Sequence, residues 1–130
     1  IHKAYWKRNW SLKKIAKEQL TRRAGKDAMW LYNPVSRLWY SLRSDKDIFS
    51  TLNQGTGVYC FDLWLKLILS QRPQLTGQFH DEIILEVKEE DRQEIKDLLK
   101  TSINKVNDML KLNRDLDCDI QFGNNYSNIH

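Results

Sequence analysis

No stretch of this sequence reaches eighteen consecutive apolar residues. The longest candidate, Val58 to Leu69, is interrupted by Asp62 and Lys66, so no membrane-spanning helix is expected. Low-complexity tracts are lacking too. With 41% apolar residues and five Trp, the chain can pack a core rather than stay disordered. Cysteine is scarce: Cys60 and Cys118 have neither a pairing nor a zinc spacing, and no secretory signal is visible. Two reduced thiols in a cytoplasmic protein are the expectation. At 130 residues the chain is one domain or part of one. Its first residue is Ile rather than Met, which suits a chain cut from something longer, processed, or relieved of a tag.

What is present is unevenly spread. Residues 1–46 hold twelve Lys/Arg against three Asp/Glu, a net of +9, whereas residues 47–130 hold nine against fourteen, a net of −5. A basic front and an acidic back suit a protein that grips phosphates with one part and metal ions with the other. A solvated, lysine-rich helix that meets no nucleic acid accounts for the charge equally well.

Residues 3–20 have no Gly or Pro and set Tyr5, Leu12, Ile15, Ala16 and Gln19 near one face, with Trp6 and Trp10 four apart beside it. This predicts an amphipathic helix whose other face is basic. Thr21 to Asp27 reads as a charged, glycine-bearing loop. Ala28–Tyr32 and Arg37–Leu42, separated by Asn33-Pro34-Val35-Ser36, predict a hairpin, because Pro presets φ for a turn and both arms are aromatic. Trp30, Tyr32, Trp39 and Tyr40 could stack on bases, although cross-strand packing is the commoner use of such residues. From about Asp47 to Ser70 the pattern is helical, with Leu52, Tyr59, Leu63 and Leu67 on a wide apolar stripe. Gly55 and Gly57 suit a close approach by another backbone. Gln71-Arg72-Pro73 breaks the helix. Residues 89–112 predict a scaffold helix with Ile95, Leu98, Leu99, Ser102, Val106, Met109 and Leu110 recurring at three and four, and acids at its amino end. Asp117 to Phe122 reads as a strand. Its alternating acids, Asp115, Asp117 and Asp119, lack the glycine and glutamate of a calcium loop and read as a solvated face.

The organising stretch is Leu75 to Val87, LTGQFHDEIILEV. Ile83, Leu85 and Val87 alternate with Ile84, Glu86 and Lys88, which predicts a half-buried strand and a hairpin carrying His80-Asp81-Glu82 at its bend. Adjacent acids repel unless they are solvated or share a cation, and Mg²⁺ favours carboxylate oxygens.

The run Phe79-His80-Asp81-Glu82-Ile83-Ile84-Leu85-Glu86-Val87 resembles motif C of the family A DNA polymerases. The upstream block Asn53-Gln54-Gly55-Thr56-Gly57 is similar to the family's Q-G-(T/S)-(A/G) helix start, at a fitting separation. The aromatic stretch Met29–Leu42 and the closing Gly123-Asn124-Asn125-Tyr126 resemble the phage branch, whose members end shortly after this Gly; a natural carboxyl terminus is therefore expected. The resemblance spans nearly the whole chain. It implies an α+β fold, an antiparallel palm-type sheet with a motif C hairpin packed on long helices, as an incomplete polymerase domain. Residues 1–46 would be the fingers-to-palm connection and 47–130 the C-terminal palm subdomain.

It also implies roles. Asp81 and Glu82 match the catalytic, metal-binding acids of a two-Mg²⁺ nucleotidyl transfer, with Glu82 tuning the site more than ligating. His80 matches the residue that positions the primer terminus. Gln54 matches the donor to the minor-groove edge of the terminal pair, where acceptors are nearly the same for every base pair. Ser50, four residues before Gln54, stands where the family often has Asn, and Lys46 matches a basic residue a turn earlier still. The family's second aspartate and its nucleotide-binding fingers helix have no counterpart here. The expected partners are primer-template DNA, a deoxynucleotide, and the remaining polymerase portion (fingers, motif A strand, thumb and exonuclease) as a separate chain or missing segment. Alone, the chain should not polymerise. A non-catalytic DNA-binding remnant is the alternative, although it has no use for two acids at a bend; a metal nuclease would lack a general base and a second metal cluster.

Overall fold

The computed structural model describes residues 2–9, 21–24, 28–71 and 74–130. Its elements run helix α1 (His2–Arg8), strands β1 (Thr21–Ala24), β2 (Ala28–Asn33) and β3 (Leu38–Leu42), helix α2 (Ile48–Leu69), strands β4 (Gln74–Phe79) and β5 (Glu82–Glu86), and helix α3 (Arg92–Leu110). Single 3-10 turns stand at Asp45–Asp47, Glu89–Asp91 and Tyr126–Ile129. The fold is α+β with antiparallel sheets, one ordered β1-β2-β3 and one β4-β5. The chain divides into two compact units, Ile1–Tyr59 and Cys60–His130, and α2 contributes its first half to one and its second half to the other. Among the described residues, no helix is long and apolar enough to cross a membrane.

In the first unit, the predicted aromatic hairpin forms with Tyr32 opposite Trp39 and Leu31 opposite Tyr40. Its four-residue loop is built on Asn33, which is fully buried. The Asn33 Oδ1 accepts from the N–H groups of Val35 (2.9 Å) and Ser36 (3.3 Å), and its Nδ2 donates to Thr56 Oγ1 (3.0 Å) on α2. One side chain thus closes the turn and fastens the sheet to the helix. Leu31, Asn33 and Leu42 are buried positions of β2 and β3. The predicted charged loop from Thr21 to Asp27 is corrected over its first four residues: Thr21–Ala24 pair with Leu31–Ala28 as an edge strand. A four-residue, charged edge strand carries no period to read, yet it pairs backbone groups that β2 would otherwise leave open. The predicted helix over 3–20 is observed at His2–Arg8; its remainder at 10–20 lies outside the described residues, as do 25–27 of the loop and 72–73 of the linker.

The second unit is built around Trp64 and Ile68 of α2 and Leu99, Ile103 and Val106 of α3. Each such side chain contributes about 1.5–3 kcal/mol by burial. The Trp64 indole N–H donates to the Leu99 carbonyl at 3.2 Å, so its polar atom costs nothing inside. Against this helix pair pack Ile83 and Leu85 of β5 and Leu116, Cys118 and Ile120 of the segment after α3. Two details differ from the sequence pattern. The buried stripe of α2 is Cys60, Trp64 and Ile68, one position on from the expected one, and on α3 Ile103 is core whereas Met109 is 61% exposed.

The strand expected at Asp117–Phe122 is not a strand. Its alternation is real, with Leu116, Cys118 and Ile120 turned to the core, but among the described residues no strand pairs with it. Side chains of α3 hold it instead. Asn107 exchanges two hydrogen bonds with the Leu116 backbone (2.9 and 2.7 Å), and Lys100 pairs with Asp117 at 2.8 Å. Hydrogen bonding and charge from Lys100 lower the Asp117 carboxyl below its ordinary value. Both cysteines are free, and burial pushes both thiols up, away from thiolate reactivity.

Candidate functional site

Strands β4 and β5 are antiparallel with Phe79 opposite Glu82, which leaves a two-residue loop, His80-Asp81. The register shifts between Leu75 and Gly77, so Thr76 is an extra residue, and its hydroxyl donates to the Ile84 carbonyl at 3.0 Å. Gly77 stands beside this bulge, as glycines in strands often do. The triplet is therefore at the bend, as its flanking alternation predicts, with Glu82 already the first residue of β5.

His80 has φ 50°, in the left-handed region. For a residue with a Cβ this costs about 1–2 kcal/mol, and two-residue hairpins normally meet it with Gly or Asn. His80 and Asp81 are exposed. Among the described residues, no hydrogen bond or ion pair reaches the Asp81 carboxylate.

Glu82 is different. Its Oε1 lies 2.7 Å from Nε2 of His130. His130 is brought there by the folded segment 123–130. Asn125 Oδ1 accepts from the Asn128 N–H at 3.1 Å and starts the 3-10 turn. A Cβ on Gly123 would come within 2.5 Å of Asn128 Cβ, so only glycine lets this turn close. The Tyr126 ring then stacks on His130 (4.1 Å between centroids, 27°) and meets Phe79 of β4 edge-on at 6.5 Å. The other imidazole nitrogen, Nδ1, is 3.1 Å from the Tyr126 carbonyl. Both partners of the ring are acceptors, so the geometry suits the doubly protonated cation. The Tyr126 carbonyl first, and Glu82 second, raise the His130 pKa above its ordinary value.

Two neighbouring carboxylates thus have opposite fates. Glu82 is occupied by His130, and Asp81 is left available. His130 was not singled out from the sequence, and Tyr126 only as the last residue of the closing motif. Their spacing of four, behind the Gly123-Asn124-Asn125 turn signal, was the available clue.

Gln54 and Lys46 belong to the other unit. Lys46 is exposed in the turn Asp45–Asp47, and its N–H donates to Ser44 Oγ at 3.2 Å. Gln54 is exposed on α2 and lines an open cavity of about 260 Å³ with Tyr40, Thr51, Gly55 and Val58. The close approach expected at the glycine pair is made by a ring rather than a backbone: a Cβ on Gly55 would lie 2.9 Å from Tyr40 Cζ, while Gly57 faces open space. Ser50 Oγ donates to the Asp47 carbonyl at 3.2 Å, a local bond at the start of α2.

Comparison with family models, curated proteins and solved structures gives no match to this chain. The chemistry of the bend therefore has to stand on its own residues. Among the described residues, no group of three or more His, Cys, Asp or Glu side chains could hold a metal ion. Mg²⁺ asks for less, since it keeps several waters and takes one or two carboxylates plus substrate phosphates. One exposed Asp81 carboxylate meets part of that demand.

Proposed function

We propose that this chain is the C-terminal palm part of a family A DNA polymerase, contributing Asp81 to template-directed nucleotidyl transfer. The observation that carries the reading is the β4–β5 bend, with an unspent carboxylate at Asp81 between a left-handed His80 and a Glu82 held aside by His130. A bend made for stability alone has no use for a strained histidine next to two acids. A long helix carrying an exposed Gln54 at the start of the Gln-Gly-Thr-Gly block supports it further.

In this reading Asp81 is a Mg²⁺ ligand near the primer end. The ion, when bound, supplies electrostatic support for attack of the primer 3′-hydroxyl on the α-phosphate of a deoxynucleotide. Glu82, neutralised by its histidine partner, tunes the field at Asp81. His80 orients the primer terminus, Gln54 donates to minor-groove acceptors that every base pair offers, and Lys46 meets phosphate. The second aspartate, the nucleotide-binding helix and the rest of the palm come from another chain or segment, so this chain alone is inactive.

The test is Mg²⁺-dependent primer extension by the assembly captured through this chain, for wild type and Asp81→Asn. The substitution is expected to abolish extension while leaving or strengthening DNA binding, because a negative charge near phosphate is removed. Extension that survives overturns the catalytic assignment and leaves a non-catalytic DNA-binding remnant.

A further inference from the structure

The three-stranded sheet of the first unit has two unlike faces. Leu31 and Asn33 are wholly buried on one, and Leu42 nearly so. Strand alternation puts Trp30 and Tyr32 of β2 on the other face, together with Trp39 of β3. Trp30 is 39% and Trp39 43% exposed. Tyr32 sits directly opposite Trp39, with ring centroids 5.0 Å apart, and Trp30 stands opposite the small Ser41. Three aromatic rings therefore share one face, two of them exposed, and Trp30 has no bulky neighbour across the β2–β3 pair.

Two exposed arginines flank these rings, and the acids Asp45 and Asp47 follow in the turn beyond β3. Arg37 lies in the loop before β3 and Arg43 directly after it; with Lys46 they are exposed and form no ion pair among the described residues. Exposed rings bordered by guanidinium groups match the requirements of a polyanion with flat, accessible bases. Duplex DNA keeps its bases stacked inside, so the fitting ligand is a single strand.

We propose that the Trp30–Tyr32–Trp39 face binds single-stranded nucleic acid, stacking unpaired bases on the rings while Arg37 and Arg43 face the phosphates. This goes beyond the polymerase reading, since it uses neither the Asp81 carboxylate nor a metal.

The experiment measures fluorescence anisotropy of a labelled oligothymidylate of about twelve nucleotides, titrated with the full chain in EDTA. An abasic strand of equal length and a blunt duplex serve as competitors. The intact strand should bind at least about tenfold more tightly than the abasic one, which has the same charge but nothing to stack. The Trp30→Leu/Trp39→Leu variant should lose that preference, and Trp39→Phe, which keeps a π-face, should retain most of it. Equal affinity for intact and abasic strands overturns the proposal, and this comparison needs only the wild-type chain should the leucine variant fail to fold. Failure of single-strand binding, with Trp30 becoming shielded on assembly with a partner polypeptide, overturns it as well and marks the face as a protein interface. Because Asp81→Asn extension is read separately, either idea can fall while the other stands.

Discussion

The two hairpins of this protein solve the same local problem in opposite ways. Each closes with a non-glycine residue in the left-handed region, Arg37 at φ 60° and His80 at φ 50°. In the first hairpin the loop consumes its own polar groups. Asn33, itself fully buried, binds two loop N–H groups and reaches α2. In the second, the loop residues spend nothing on themselves. His80 and Asp81 point to solvent, and bracing arrives from residues far along the chain, through Glu82 to His130 and Phe79 to Tyr126. A turn that uses up its polar groups serves stability. One that leaves a carboxylate unspent has to be held by its neighbours.

The comparison breaks most directly at the two loop residues themselves. Asn33→Ala leaves the Val35 and Ser36 N–H groups short of an acceptor and removes the link to Thr56. A loss of about 2–4 kcal/mol is expected, from several hydrogen bonds at about 0.5–1.5 kcal/mol each plus unsatisfied buried donors. Asp81→Ala, at an exposed bend, should stay within about 0.5 kcal/mol of wild type. Urea unfolding of both variants measures this, and equal costs would mean that the two turns are not different in kind.

A smaller effect is expected from the brace. Gly123→Ala drives a Cβ into Asn128 and Ile129. Overpacking of this sort costs about 1–3 kcal/mol where the neighbours cannot move; here the surrounding segment is exposed, so the low end applies. The telling readout is local: the Tyr126 and His130 ring resonances should lose their mutual stacking shifts while the core methyls of Ile68 and Val106 stay put.

The same brace has a pH dependence of fixed sign. The folded pKa of His130 is raised above its ordinary 6.5. Its contribution is therefore fully present below the unfolded value and is lost as pH rises through the folded one. Imidazole shifts followed by NMR should give a midpoint above that of a free histidine. Glu82→Gln should lower the midpoint only in part, because the Tyr126 carbonyl is the larger cause. A full return to the ordinary value on that substitution would remove the carbonyl from the account.

Much of this was open to reading from the residues, and the failures have particular causes. The alternation Ile83, Leu85 against Ile84, Glu86 located the bend, because one buried face forces period two. Helices α2 and α3 followed from their spacing. Thr21–Ala24 hid as a strand since its pairing comes from β2 and not from its own pattern. At Asp117–Phe122 the opposite happened: the pattern was right, but a strand is a relation between two segments and only helix side chains were at hand. The Glu82–His130 contact joins residues 48 apart, a distance that no local pattern reports. What the sequence could say of Asp81 and Glu82 was that two acids adjoin. That one is occupied and the other available needed the fold.

The smallest effect should come from the most strained residue. Replacing His80 by Gly removes the cost of a Cβ in the left-handed region, about 1–2 kcal/mol. It also frees the unfolded chain, which takes back roughly 0.5–1 kcal/mol. The two nearly cancel, so His80→Gly should leave stability unchanged or slightly raised, read as the urea midpoint. A bend wanted only for its shape would already hold glycine at this position. If His80→Gly is neutral in stability but weakens primer binding by the assembly we propose, the imidazole itself is what the bend is strained to present. If it is clearly destabilising, the histidine makes a structural contribution, and the contrast between the two hairpins shrinks to their burial.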